Sequence, residues 1–87
     1  MDITLRIERA FENGAEYKYE LYRKKLQAPP SYAIRITMTY LGFVSEATTD
    51  FIFSELDTAT HIFELLAENL ATPNNLQYVL LDEHLVK

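Results

Sequence analysis

From Tyr32 to Tyr40 apolar and polar positions alternate. Tyr32, Ile34, Ile36, Met38 and Tyr40 fall on one side, and Ala33, Arg35, Thr37 and Thr39 on the other. Side chains along a strand point to opposite faces with a period of two, so this pattern predicts a half-buried antiparallel strand over about 31–40. Ile3, Leu5 and Ile7 alternate with Thr4, Arg6 and Glu8 and predict a first strand over about 2–11. Asn13-Gly14 follows, and both residues tolerate the positive φ that a type I′ turn needs at its two central positions. Tyr17, Tyr19 and Leu21 alternate with Lys18, Glu20 and Tyr22, so a second strand over about 15–25 completes a hairpin. Gln27-Ala28-Pro29-Pro30 ends it, because proline cannot donate to a ladder. Leu41-Gly42 offers a turn into a fourth strand over about 44–53, with Ala47, Thr49, Phe51 and Phe53 toward the core. Alternation weakens at Ser45-Glu46, which places a bulge there.

The period then changes to 3.6. Ala59, Ile62, Phe63, Leu66 and Leu70 recur at helical spacing, with Glu64 and Glu68 on the opposite face. Asp57 is placed to cap this helix, which is expected over about 58–70. Thr72 is placed to cap a second helix, with Pro73 at the first position, where a missing N–H costs nothing. Leu76, Val79, Leu80 and Glu83 mark one face of that helix. The expected architecture is a single α+β domain over residues 1–87: a four-stranded antiparallel sheet, largely a meander, followed by two helices packed on its apolar face. The open face is expected to hold Thr4, Arg6, Glu8, Lys18, Glu20, Tyr22, Arg35, Thr37, Thr39, Thr48 and Asp50.

Composition narrows the function classes. The 87 residues carry 8 Lys/Arg against 13 Asp/Glu, a formal net charge of −5. Residues 1–35 hold seven of those cations and five acids, a net of +2; residues 36–87 hold Lys87 and eight acids, a net of −7. Such a chain repels phosphate backbones unless its cations are concentrated. The one basic run, Arg23-Lys24-Lys25, lies on a strand end whose side chains point alternately to both faces, so no nucleic-acid partner is expected. Cysteine is absent, which excludes disulfides and thiolate metal sites and fits a reducing compartment. No apolar run approaches the ~20 residues that span a bilayer. The start Met1-Asp2-Ile3-Thr4-Leu5-Arg6 lacks the basic-then-apolar order of a signal peptide. A cytoplasmic protein with no membrane partner is the expectation.

Catalytic and metal chemistry finds little support. His61 and Glu64 share a helix face, but two ligands are too few for zinc, and Asp82-Glu83-His84 would have to fold back to add more. Ser31, Ser45 and Ser54 suit turns and strand ends, and none lies in a Gly-x-Ser-x-Gly elbow. With Gly14 and Gly42 as the two glycines there is no phosphate loop. The chain is therefore expected to be no enzyme and to use no cofactor or metal. Among the aromatics, Tyr17, Tyr19, Tyr32 and Tyr40 fall in phase with the aliphatics, and Tyr22 lies on the open face.

The open sheet is the remaining feature. Small sheets satisfy their edges and faces by pairing in symmetric dimers. The leading reading is an interaction or accessory domain that self-associates through its sheet as a homodimer or meets another protein, with Tyr22, Arg35, Thr37 and Thr39 as the contact surface. The acidic helical surface of Glu64, Glu68, Asp82 and Glu83 would suit a basic partner protein. The alternative is a small-molecule binder with a pocket between sheet and helices, lined by Tyr32, Tyr40, Phe51 and Phe63.

Ser31-Tyr32-Ala33-Ile34 at a strand start, Phe53-Ser54 leading into a helix with Glu64-Leu65-Leu66, and Thr72-Pro73-Asn74-Asn75-Leu76 with Val79 and a closing Asp82 make up a recognisable order. Over about Tyr17 to Leu85 it resembles a small family of uncharacterised proteins, a domain of unknown function, from clostridial and related Gram-positive bacteria. Gln77-Tyr78 and Leu80-Leu81 depart from that pattern. The family carries no assigned activity. The resemblance implies a cytoplasmic bacterial protein without a cofactor and supplies no functional residues.

Overall fold

The computed structural model describes residues 2–24, 29–49, 51 and 53–76. The described residues form an α+β unit. Four antiparallel strands, β1 (Asp2–Glu12), β2 (Ala15–Lys24), β3 (Tyr32–Tyr40) and β4 (Phe43–Thr48), are ordered β1-β2-β3-β4 across one sheet. Each strand thus pairs with its sequence neighbour. Both hairpins turn through two residues with positive φ at each: Asn13 at 52° and Gly14 at 82°, then Leu41 at 50° and Gly42 at 82°. That is the backbone of a type I′ turn, whose twist matches the flanking strands.

The core lies between the sheet and α1 (Leu56–Glu68). Tyr19 and Leu21 from β2, Ile34 and Ile36 from β3, and Ala59, Ile62, Phe63 and Leu66 from α1 are almost fully enclosed. These are the alternate strand positions and the i, i+3, i+4, i+7 helix positions that hydrophobic burial selects. Glu55, not Asp57, is the N-cap, and it makes no side-chain cap bond; Asp57 sits in the first turn, where its charge suits the helix dipole. The helix ends in a Schellman-type turn: Leu70 takes φ of 50°, Leu70 N–H donates to Ala67 O and Ala71 N–H donates to Leu66 O.

Three features depart from the sequence expectation. The first is a bulge in β1, not at Ser45-Glu46. The register with β2 shifts between Thr4↔Tyr22 and Arg6↔Leu21, whereas β3 and β4 pair without a shift from Tyr40↔Phe43 to Arg35↔Thr48. The extra residue reverses the facing of everything after it. Arg6, Glu8 and Ala10 therefore lie on the helix side, and Ile7, Arg9 and Phe11 on the open side. The second is the end of β4. The strand stops at Thr48; beyond it Thr49 N–H donates to Ile34 O while Thr49 Oγ1 accepts from Ile34 N–H, and Phe53 re-enters the ladder as a bridge to Tyr32. The third is helix content. Two helices were expected, and the described residues contain one α-helix and a 3-10 turn at Pro73–Asn75. Thr72 O accepts from Asn75 N–H, and Pro73 and Leu76 are buried. Val79, Leu80 and Glu83, assigned to the second helix, lie outside the described residues, as does Asp50.

Candidate interaction surface

Opposite the helix, strand register places Tyr22 between Thr4 and Ala33, with Arg35, Thr37 and Thr39 along β3. The four residues expected to form one surface therefore do share a face. They differ in access. Arg35, Thr37 and Thr39 are half-buried, whereas Tyr22 is only 6% exposed. The Arg35 guanidinium lies over the Tyr22 ring, 4.6 Å from its centre. Arg35 also approaches Glu20 at 4.0 Å and Glu46 at 3.8 Å, and Lys18 lies 3.8 Å from Glu20. The Tyr22 hydroxyl is buried without a hydrogen-bond partner among the described residues. Burial first, and the nearby Glu20 carboxylate second, push its pKa up to about 12. Tyr22 is thus packed beneath a charge network.

On the helix side, a cleft of about 290 Å³ separates β1 from α1. It exists because the helix packs over β2 and β3, leaving β1 to project past it, and because Ala10 and Ala67 are small. Arg6 enters this space. Its guanidinium lies 5.0 Å from the Phe63 ring centre and donates to Glu8 at 3.0 Å and Glu64 at 3.3 Å, bonds that raise its pKa further. Of the aromatics expected in a pocket, only Phe63 lines this cleft. Tyr32 is in the core, Tyr40 is at the hairpin end near Gly14, and Phe51 carries the Lys24 ammonium 5.5 Å from its ring centre. His61 is exposed on α1, and no group of three metal-ligating side chains occurs among the described residues.

A long stretch of apolar surface is also open along β1. Among the described residues no strand pairs with its outer edge. Ile3 and Leu5 are 39% exposed, Ile7 45% and Phe11 74%. At the other edge, Phe43 and Val44 are also exposed, but β4 is six residues long against eleven for β1. Long apolar edges invite strand addition, and proteins usually blunt them with charge, proline or bulges. Here the strand carries a bulge at Thr4–Arg6 and the charges of Arg6, Glu8, Arg9 and Glu12, yet residues 6–12 keep a regular register and leave Ile7 and Phe11 exposed.

Strict alternation in the sequence put Ile7 inside and did not single out Phe11. The trace of the bulge was Ala10, which falls out of phase with Ile3, Leu5 and Ile7. No helix among the described residues is long and apolar enough to cross a membrane. Comparison of the chain with protein-family models, with curated proteins and with solved structures finds no match to any of them.

Proposed function

We propose that this chain is a non-enzymatic, cytoplasmic interaction domain that self-associates through its sheet, with the outer edge of β1 as the contact. The observation that carries this reading is the exposure of Ile7 and Phe11 beside an edge that no strand pairs among the described residues. Burying those side chains and pairing the edge's amides and carbonyls in one step is the physical incentive. Arg35, Thr37 and Thr39 lie on the same face as Ile7 and Phe11, two strands in from that edge.

The test is sedimentation equilibrium over a wide concentration range. The native chain should show a monomer–dimer equilibrium, and Phe11→Glu should weaken it at least tenfold while keeping the native circular dichroism. A native chain that stays monomeric at millimolar concentration refutes the reading. The cleft that holds Arg6 over Phe63 favours a second reading, a small-molecule binder. A ligand for it would raise the melting temperature of the native chain and lose that effect with Phe63→Leu.

A further inference from the structure

Building on self-association through β1, we infer that two copies join β1 to β1 in one antiparallel register, with the two-fold axis through Arg9. The backbone limits the choices first. Glu12 and Ala15 close a two-residue hairpin, and such a closing pair exchanges both of its N–H···O bonds. Bonded pairs alternate along an antiparallel ladder, so Glu12, Ala10, Glu8 and Arg6 turn their backbone groups toward β2. Ile7, Arg9 and Phe11 turn theirs toward the open edge. The bulge between Thr4 and Arg6 ends this regular stretch, so a second strand finds matched facing over residues 6–12 alone.

Opposed residues in an antiparallel pair share a face, which leaves few registers. An axis through Glu8 sets two carboxylates against each other. An axis through Ala10 opposes Glu8 to Glu12 twice. An axis through Ile7 pairs Arg6 with Glu8 but runs at once into the bulge on both chains. An axis through Arg9 uses all seven residues. It opposes Arg6 to Glu12 twice and Glu8 to Ala10 twice on the helix side, and Ile7 to Phe11 twice on the open side. Its one like-charge contact across the seam, Arg9 with Arg9 of the second copy, extends the Arg9↔Lys18 pairing inside each sheet, and Glu16 and Glu20, diagonal to Arg9 on β2, offset these cations. Phe11 of either copy is also within diagonal reach of Arg9. The product is a closed dimer with one continuous eight-stranded sheet.

The experiment uses charge reversal in trans. Glu12→Arg opposes Arg6 with a cation at both ends of the contact, and its homodimer should weaken at least tenfold. Arg6→Glu should weaken its own homodimer likewise. Mixed one to one, the two variants should recover native-strength pairing as a heterodimer, because each then meets its opposite charge. Arg6 also bonds Glu8 and Glu64, so a poorly folded Arg6→Glu chain is anticipated. Arg9→Cys supplies the second measurement, since the native chain has no cysteine. A short bismaleimide should join two Arg9→Cys chains quickly and two Thr39→Cys chains slowly. A native dimer that is indifferent to Glu12→Arg, or equal cross-linking at positions 9 and 39, overturns the register while leaving self-association intact. A native monomer overturns both. Higher oligomers that grow with concentration would mean head-to-tail pairing of β1 with β4 and also overturn it.

Discussion

Tyr19 and Tyr22 lie on the same strand, on opposite faces, and both are nearly inaccessible. The same substitution at each should change stability in opposite directions. The Tyr19 hydroxyl donates to Ala71 O at 2.9 Å and ties the sheet to the segment after α1. In Tyr19→Phe that bond is lost and a buried carbonyl is left unpaired, which costs roughly 1–3 kcal/mol. Among the described residues the Tyr22 hydroxyl has no partner in bonding geometry and meets only the Glu20 carboxylate nearby, so native Tyr22 already carries a desolvation penalty. Tyr22→Phe removes that penalty and keeps the ring beneath Arg35, so it should stabilise by about 1 kcal/mol. The assay is urea unfolding followed by circular dichroism, at one fixed chain concentration because self-association shifts apparent stability. With a slope of about 1–2 kcal/mol per molar, the midpoint should fall by roughly 0.5–3 M for Tyr19→Phe and rise by about 0.5–1 M for Tyr22→Phe. Equal destabilisation by the two substitutions would refute the reasoning, because it would show that the Tyr22 hydroxyl contributes as much as a bonded one.

Four further outcomes can be checked. Ile36→Asp puts a carboxylate at a fully enclosed position between Tyr19 and Ala47; against a total stability of ~4–13 kcal/mol it should abolish native circular dichroism at neutral pH. Thr49→Val keeps the shape but leaves Ile34 N–H without its side-chain acceptor, and chemical denaturation should register a loss of about 1–3 kcal/mol. Leu41→Asn relieves a branched side chain at φ of 50° in an exposed turn, and the melting temperature should rise with about 1 kcal/mol of added stability. Tyr19 and Tyr22 both ionise at about 12 when folded, against an ordinary value near 10, so the neutral hydroxyls are favoured in the native state. Their contribution is complete below pH 10 and is lost as pH rises from about 10 to 12; denaturation curves across that window should show falling stability, less steeply in Tyr22→Phe.

The sheet was legible because Tyr32–Tyr40 and Tyr17–Leu21 alternate cleanly and because Asn13-Gly14 and Leu41-Gly42 mark two-residue turns. The helix was legible from its apolar spacing, although its start was displaced: Leu56 and Asp57 are helical, and Glu55 takes the capping position without a side-chain bond. What alternation cannot reveal is an extra residue. Counting by twos through Thr4, Leu5 and Arg6 gave Arg6 and Glu8 the open face and Ile7 the core, the reverse of their places. The candidate site suffered from the same limit. Tyr22 was assigned to the correct face, but its enclosure depends on Arg35 folding over it, a contact between strands that no local pattern encodes. The end of β4 was misread for a related reason: Thr49 closes the ladder with its side chain, so the chain can leave the sheet before Phe53 returns.

The meander order has a consequence for synthesis. Each strand can pair as soon as it follows its neighbour out of the ribosome, since β1-β2 and β3-β4 are joined by turns of two residues. Local pairing of this kind lowers contact order and favours fast assembly of the sheet. Its cover arrives late: Tyr19 must wait 52 residues for Ala71, the acceptor of its hydroxyl. At ~5–20 residues per second that is about 3–10 s, during which Tyr19, Leu21, Ile34 and Ile36 face water on a growing chain. Nascent copies on one message are thus most prone to stick to each other, or to be held by a chaperone, in the interval before α1 is made.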